Sequence, residues 1–134
     1  MVNLIDGKRL EGQILVIDDE ATVRETFGEI LRTVGFQVLL AADGQEGLKE
    51  FQRHVQTIDI ILVDMKMPGM NGLQTFAALR EIDPQVKVIL CSGYSENEIV
   101  PQVKDGAITA FLQKPVRIVE LLTSIKSALT DGNR

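Results

Sequence analysis

The seven residues Ile58-Asp59-Ile60-Ile61-Leu62-Val63-Asp64 restrict the fold more than any other stretch of the chain. They form a short apolar, β-branched run that ends on a carboxylate and turns at once into Met65-Lys66-Met67-Pro68-Gly69-Met70-Asn71-Gly72. Such a run reads as a strand buried on both faces, which calls for a parallel sheet covered by helices on either side. Ligands of open parallel sheets sit outside the carboxyl ends of the strands, so Asp64 stands where chemistry would occur. A plainer reading is also open, because Asp followed by Pro-Gly is an ordinary way to begin a turn.

Four further runs have the same character. Ile14 to Ile17 ends on Asp18-Asp19-Glu20, Phe36 to Ala41 forms a second strand, Val86 to Leu90 runs into Cys91-Ser92-Gly93, and Ala107 to Leu112 ends at Gln113-Lys114-Pro115. Helical periods separate them. Val23, Phe27, Ile30, Leu31 and Val34 share a stripe, with Asp19 able to cap the first turn and Gly35 at the far end. Leu48, Phe51 and Val55 follow the Asp43-Gly44 turn, and Leu73, Phe76, Ala77 and Arg80 precede a stop at Asp83-Pro84. The last stripe is Ile118, Leu121, Leu122, Ile125 and Leu129, with Pro115 suited to its start. Residues 95–104 open with Ser95 and Glu98 at the spacing of a capping box, and Pro101 then breaks or shortens the helix.

Parallel strands need crossovers, so five strands alternating with five helices predict an α/β fold with a doubly wound five-stranded parallel sheet. Residues 13–130 form this one domain. Residues 1–12 carry two glycines and no sustained period, which marks a leader or linker remnant, and 131–134 are a C-terminal tail.

Composition removes several functional classes. Fourteen basic against nineteen acidic residues give a net charge of -5, which offers no basic footprint for direct nucleic-acid binding. The single Cys91 makes no internal disulfide, and no basic leader with an apolar core opens the chain, so the expected compartment is the cytoplasm. No apolar run reaches the ~18 residues of a membrane span. One histidine and one cysteine make no zinc cluster, so a metal would be held by oxygens.

All strands of a parallel sheet point the same way, so their C-terminal groups gather on one rim. Here those groups are Asp18 and Asp19, Asp64, Ser92 and Lys114. Three carboxylates so close repel one another unless positive charge is supplied, and a divalent cation with Lys114 balances the set. An all-oxygen site with room for waters and a phosphate oxygen suits Mg2+. Asp64 could then attack phosphorus, with Ser92 donating a hydrogen bond and Lys114 its charge to the phosphoryl oxygens. Taken singly, each feature has a bland equivalent: an acidic helix start, a Ser-Gly turn, a Lys-Pro before a helix. Complementary groups on four strand ends favour the functional reading.

The segments Leu15-Val16-Ile17-Asp18-Asp19-Glu20, Leu62 to Gly72, Ser92-Gly93-Tyr94 and Phe111-Leu112-Gln113-Lys114-Pro115 together resemble the receiver domain of two-component response regulators over about residues 13 to 130. The resemblance implies a flavodoxin-like sheet of order 2-1-3-4-5 and a phosphoacceptor that assists its own phosphorylation and dephosphorylation rather than an enzyme. It makes Asp64 the acceptor, has Asp18 and Asp19 hold Mg2+ with the backbone carbonyl of Lys66, and brings Ser92 and Lys114 to the phosphoryl group. It also implies a cis Lys114-Pro115 bond and a switch at Tyr94 and Phe111. The implied partner is a histidine kinase or histidine phosphotransfer protein, and the face of the 95–104 helix, fifth strand and last helix is one on which copies of the domain can pair.

The Ser92 to Tyr94 and Phe111 to Pro115 segments look like those of hybrid-kinase receivers. Phe111 stands where many receivers have tyrosine, which leaves ring packing alone to report the state. Ser92 replaces the commoner threonine, and Pro101 makes the partner face irregular. Two other functions compete: a pseudo-receiver that only binds partners, which the intact acidic set opposes, and a flavin carrier, which lacks a phosphate-cradling loop after the first strand. His54 reads as a solvated helix-end residue, Cys91 as a small core hydrophobe, and Met65, Met67 and Met70 as loop packing or a contact surface.

Overall fold

The computed structural model describes residues 4–5, 8–9, 11–95, 98 and 108–131. The sheet consists of β1 (Gln13–Ile17), β2 (Gln37–Ala41), β3 (Ile58–Asp64), β4 (Val88–Ser92) and β5 (Ala110–Gln113). All pairings are parallel and the order is β2-β1-β3-β4-β5, as the family resemblance implies. Among the described residues the helices are α1 (Ala21–Val34), α2 (Gly44–Arg53), α3 (Gly72–Ile82) and α4 (Ile118–Asp131). The expected 95–104 helix, with Pro101, lies outside the described residues apart from Ser95 and Glu98. There Glu98 Oε1 accepts from the Ser95 backbone N–H at 3.3 Å, one half of the expected capping box.

Alternate residues of each strand enter separate cores, which is why the apolar runs are continuous. Ile14, Val16, Ile60, Leu62, Ile89 and Cys91 pack with Phe27 and Leu31 of α1 and Leu121 and Ile125 of α4. Leu15, Ile17, Ile61, Val63, Val88 and Leu90 pack with Phe51 of α2 and Phe76 and Leu79 of α3. Burying one such aliphatic side chain contributes about 1.5–3 kcal/mol, so the three interior strands β1, β3 and β4, buried along most of their length, anchor the fold.

Several local expectations shift. Glu20, not Asp19, is the N-cap of α1, and it makes no side-chain cap; Asp19 points its carboxylate to the acidic cluster on the rim instead. β4 begins two residues later than expected, because Val88 is the first residue paired with β3, opposite Ile61. β5 begins at Ala110, opposite Ile89, and Ala107 lies outside the described residues. Ile118 is 54% exposed and Ala77 is exposed, so neither belongs to the buried stripe of its helix. Gly35 caps α1 as expected, donating to the carbonyls of Leu31 and Arg32. At the other end of the chain's first segment, Leu4–Ile5 pairs antiparallel with Lys8–Arg9, a ladder too short to show in any sequence period.

Candidate functional site

The strand order reverses between β1 and β3, and the crevice at this switch point opens at the carboxyl ends of both strands. Asp18 follows β1 and Asp64 closes β3. Asp18 is 2% exposed and Asp64 5%, while Asp19 is exposed, and one carboxylate oxygen from each lies within 4.8 Å of the others. This is the acidic set expected from the sequence.

The loops after β4 and β5 complete the rim. Met65 N–H donates to the carbonyl of Cys91 at 2.8 Å and Lys114 N–H to that of Ser92 at 2.7 Å, so hydrogen bonding carries the sheet one residue past its strands. Lys114, whose bond to the following Pro115 is cis, has its ammonium on the acidic set: Nζ lies 2.6 Å from Asp64 Oδ1 and 3.4 Å from Asp18 Oδ2. Ser92 is 1% exposed, and its hydroxyl oxygen accepts from the Tyr94 N–H at 2.9 Å. Asp19, Glu20, Asp64, Lys66, Met67, Pro68, Gly93 and Lys114 line an open cleft of about 580 Å³. Lys66 is exposed on its wall, Tyr94 is 47% exposed, and Phe111 is half-buried against the α2–α3 core.

An ion pair alone would lower the acid as it raises the base. Burial instead pushes Asp64 upward; the hydrogen bond from Lys114 opposes this, and repulsion from Asp18 adds to it, with a net shift up. For Lys114, burial alone would lower the ammonium, but the bond and charge of Asp64, then Asp18, outweigh it and hold it above its usual range. Against three carboxylates the site has the one ammonium of Lys114 in contact, which leaves negative charge in excess. Hard oxygen donors at this spacing, with excess negative charge and an open side, fit a divalent cation such as Mg2+.

Burial of the Asp64 carboxylate, with repulsion from Asp18 added, has a cost that can be measured. A carboxyl whose folded pKa is raised contributes most to stability when protonated, below its unfolded value of 3.8, and loses that contribution as the pH rises through the folded value. Asp64→Asn removes the charge while keeping the shape. Without metal at pH 7 it is expected to melt higher than the native chain, by roughly 3 °C per kcal/mol relieved. The gap should narrow as the pH falls toward 4; melting below the native chain at pH 7 would contradict this assignment.

Comparison with known proteins agrees with the geometry. Residues 14–126 match the response regulator receiver domain family. The chain belongs to that family. It is 32% identical over 118 residues to sporulation initiation phosphotransferase F of Bacillus subtilis, covering 87% of this chain and 93% of that protein. A receiver domain protein from Clostridium thermocellum superposes with a TM-score of 0.84 at 31% identity, covering 90% of this chain and 95% of that one. A chain of the CheX-CheY-BeF3-Mg complex from Borrelia burgdorferi gives 0.83 at 26%, covering 88% and 89%.

The receiver domain thus has its acidic pocket at Asp18, Asp19 and Asp64, and Ser92 and Lys114 converge on the same rim. Among the described residues no helix is long and apolar enough to cross a membrane. Cys91 is buried, and its thiol is pushed up to about 12 by desolvation, as befits a core residue. His54 ends α2 with Nε2 3.8 Å from Glu50 Oε1. Met67 is buried and Met65 half-buried against the α2–α3 core, which accounts for both as loop packing.

The residue pattern left two local features unread. Asn71 and Gln74 form a reciprocal capping box at the start of α3, the Asn71 side chain accepting at 2.8 Å and the Gln74 side chain at 2.9 Å. Their spacing is the capping-box signal itself, with Asn in place of the usual Ser or Thr. Arg24 of α1 donates from Nη1 to the carbonyl of Asp18 at 2.8 Å, a contact that no sequence period signals.

Proposed function

We propose that this receiver domain is the phosphoacceptor switch of a two-component phosphorelay, with Asp64 taking a phosphoryl group from a phosphohistidine of a histidine kinase or histidine phosphotransfer protein. The observation that carries the reading is the 2.6 Å contact of Lys114 with Asp64 inside a cluster of three carboxylates at the sheet's switch point. In the transfer an oxygen of Asp64 forms the new P–O bond as the P–N bond of the donor breaks, and the imidazole leaves to take a proton from solvent. Lys114, already on Asp64 Oδ1, follows the negative charge as it spreads onto the phosphoryl oxygens, and the Ser92 hydroxyl turns from its backbone contact to donate to one of them.

Asp18, Asp19, Asp64 and the backbone carbonyl of Lys66 are the residues that would hold Mg2+. Bound there, the cation supplies charge neutralisation between acceptor and incoming phosphoryl group. Saturating Mg2+ at ~100 times its Kd stabilises the fold by ~2.7 kcal/mol. The melting temperature should therefore climb through millimolar MgCl2 and drop in EDTA, and Asp18→Asn should flatten the response. A native melting curve indifferent to Mg2+ would remove the metal from the reading.

Phosphorylation adds negative charge at Asp64, and the movement of Ser92 toward it frees space behind β4 for the Phe111 ring, which lies opposite Leu90 in register. Tyr94 and the 95–104, β5 and α4 face then change together, which alters binding to a partner or a second copy of the domain. The test is amide exchange or NMR with and without beryllofluoride and Mg2+. Changes at residues 94 to 112 are expected to accompany those around Asp64; changes confined to the loops at Asp64 would leave no switch, and no response at all would favour a partner-binding module without phosphoryl chemistry. The cytoplasm, where phosphohistidine donors are made, is the compartment this function requires, and residues 13–130 are the unit proposed to carry it.

A further inference from the structure

Arg24 occupies a position that the helix itself does not explain. It lies three residues before Phe27 and seven before Leu31, so it continues the core-facing stripe of α1 as a charged residue. It also stands in the fourth position of a helix whose N-terminus has no side-chain cap and no acidic residue in its first turn, where the dipole disfavours a cation. What it does contact is Asp18. The guanidinium Nη1 donates to the Asp18 carbonyl oxygen at 2.8 Å in a part-buried bond.

Pairing of β1 with β2 and β3 stops at Ile17, so the Asp18 carbonyl lies beyond the sheet ladder. With Arg24 in place, each polar atom of Asp18 has a partner. Its N–H donates to Ala41 O at 3.1 Å, its Oδ1 accepts from Glu20 N–H at 2.9 Å, and its Oδ2 faces Lys114 Nζ at 3.4 Å. The bonds to Arg24, Ala41 and Glu20 hold the peptide and the carboxylate from α1, from the end of β2 and from the turn that leads into α1. Loss of the carbonyl bond would take away the one side-chain anchor on the peptide that follows Asp18, and so loosen the turn from which the carboxylate projects.

We propose that Arg24 is a positioning residue for the cation site: through the Asp18 carbonyl it fixes the carboxylate that holds Mg2+ in the reading above, on which this inference rests. Groups that orient metal ligands from behind typically contribute 10–100-fold to metal affinity. The expected effect is on the cation and not on the acceptor, because Asp64 and Lys114 are held by β3, β4 and β5.

The experiment is calorimetric titration of the full chain with MgCl2 alone, together with the Mg2+ dependence of phosphoryl uptake from acetyl phosphate, for the native chain, Arg24→Ala, Arg24→Gln and Arg24→Lys. Arg24→Ala and Arg24→Gln are expected to need about 10-fold more Mg2+ for half-saturation in both measurements. Uptake at saturating Mg2+ should return to the native rate, and Arg24→Lys, which keeps one charged donor, should recover most of the affinity. A purely structural role would lower the melting temperature in EDTA and leave half-saturation by Mg2+ where it was; that result, or Arg24→Lys no better than Arg24→Ala, overturns the proposal. A native chain that takes up no Mg2+ would instead overturn the site reading, and the inference with it.

Discussion

Asp64→Asn is expected to gain no phosphoryl group from acetyl phosphate and Mg2+, where the native chain gains one. The amide keeps the shape of the side chain, so the cleft and its neighbours remain, but it loses the negative charge and nucleophilicity of the carboxylate. Asp64 is the one member of the acidic set in direct 2.6 Å contact with Lys114, and it lies at the carboxyl end of the buried central strand β3. Among the described residues nothing else on the rim combines those positions. Intact-mass measurement reads the result directly, and the modification should resist acid and be lost in base, as an acyl phosphate is. Full single-site labelling of the Asn variant would move the acceptor to another residue. A melting curve of the variant under the labelling conditions separates loss of the acceptor from unfolding.

Gly72→Ala is expected to damage both the fold and the acceptor. A Cβ on Gly72 would come within 2.7 Å of the Asp64 carbonyl oxygen, 2.7 Å of Met65 Cα and 2.9 Å of Leu90 Cδ1. The first two are backbone and cannot swing aside. In a helix Ala normally gains roughly 0.5–1 kcal/mol over Gly, whereas overpacking of a close contact costs about 1–3 kcal/mol, so the clash wins. Gly72 N–H also donates to Met65 O at 2.8 Å and pins the loop that follows the acceptor. The variant should melt several degrees below the native chain and take up phosphoryl groups more slowly, because relief of the clash displaces Asp64. At Gly93, which also borders the cleft, a Cβ would meet nothing within 4 Å. Gly93→Ala should leave the melting temperature unchanged, and an equal loss at both positions would show that steric fit at Gly72 is not the cause.

The sequence by itself determined what depends on local pattern. Continuous runs such as Ile60 to Val63 specify strands buried on two faces, and the stripes of Phe27 and Leu31 or Leu121 and Ile125 specify helices that cover them. The alternation of these elements then requires a parallel, doubly wound sheet, and parallel strands require that Asp18, Asp64, Ser92 and Lys114 share a rim. Family resemblance added the strand order. What the tertiary structure decided are matters of reach between residues far apart in the chain. Lys114 settles against Asp64 and, 96 positions away in sequence, against Asp18. Asp19 faces the acidic cluster and leaves the cap of α1 without a side chain. Ile118 and Ala77 fall outside the cores although their spacing fits the stripes, because periodicity defines a face and only the packed neighbours define where that face ends. Arg24 finds the Asp18 carbonyl because α1 folds back over the end of β1, a geometry set by the packing of Phe27 and Leu31 on the sheet and not by any residue beside it in the chain.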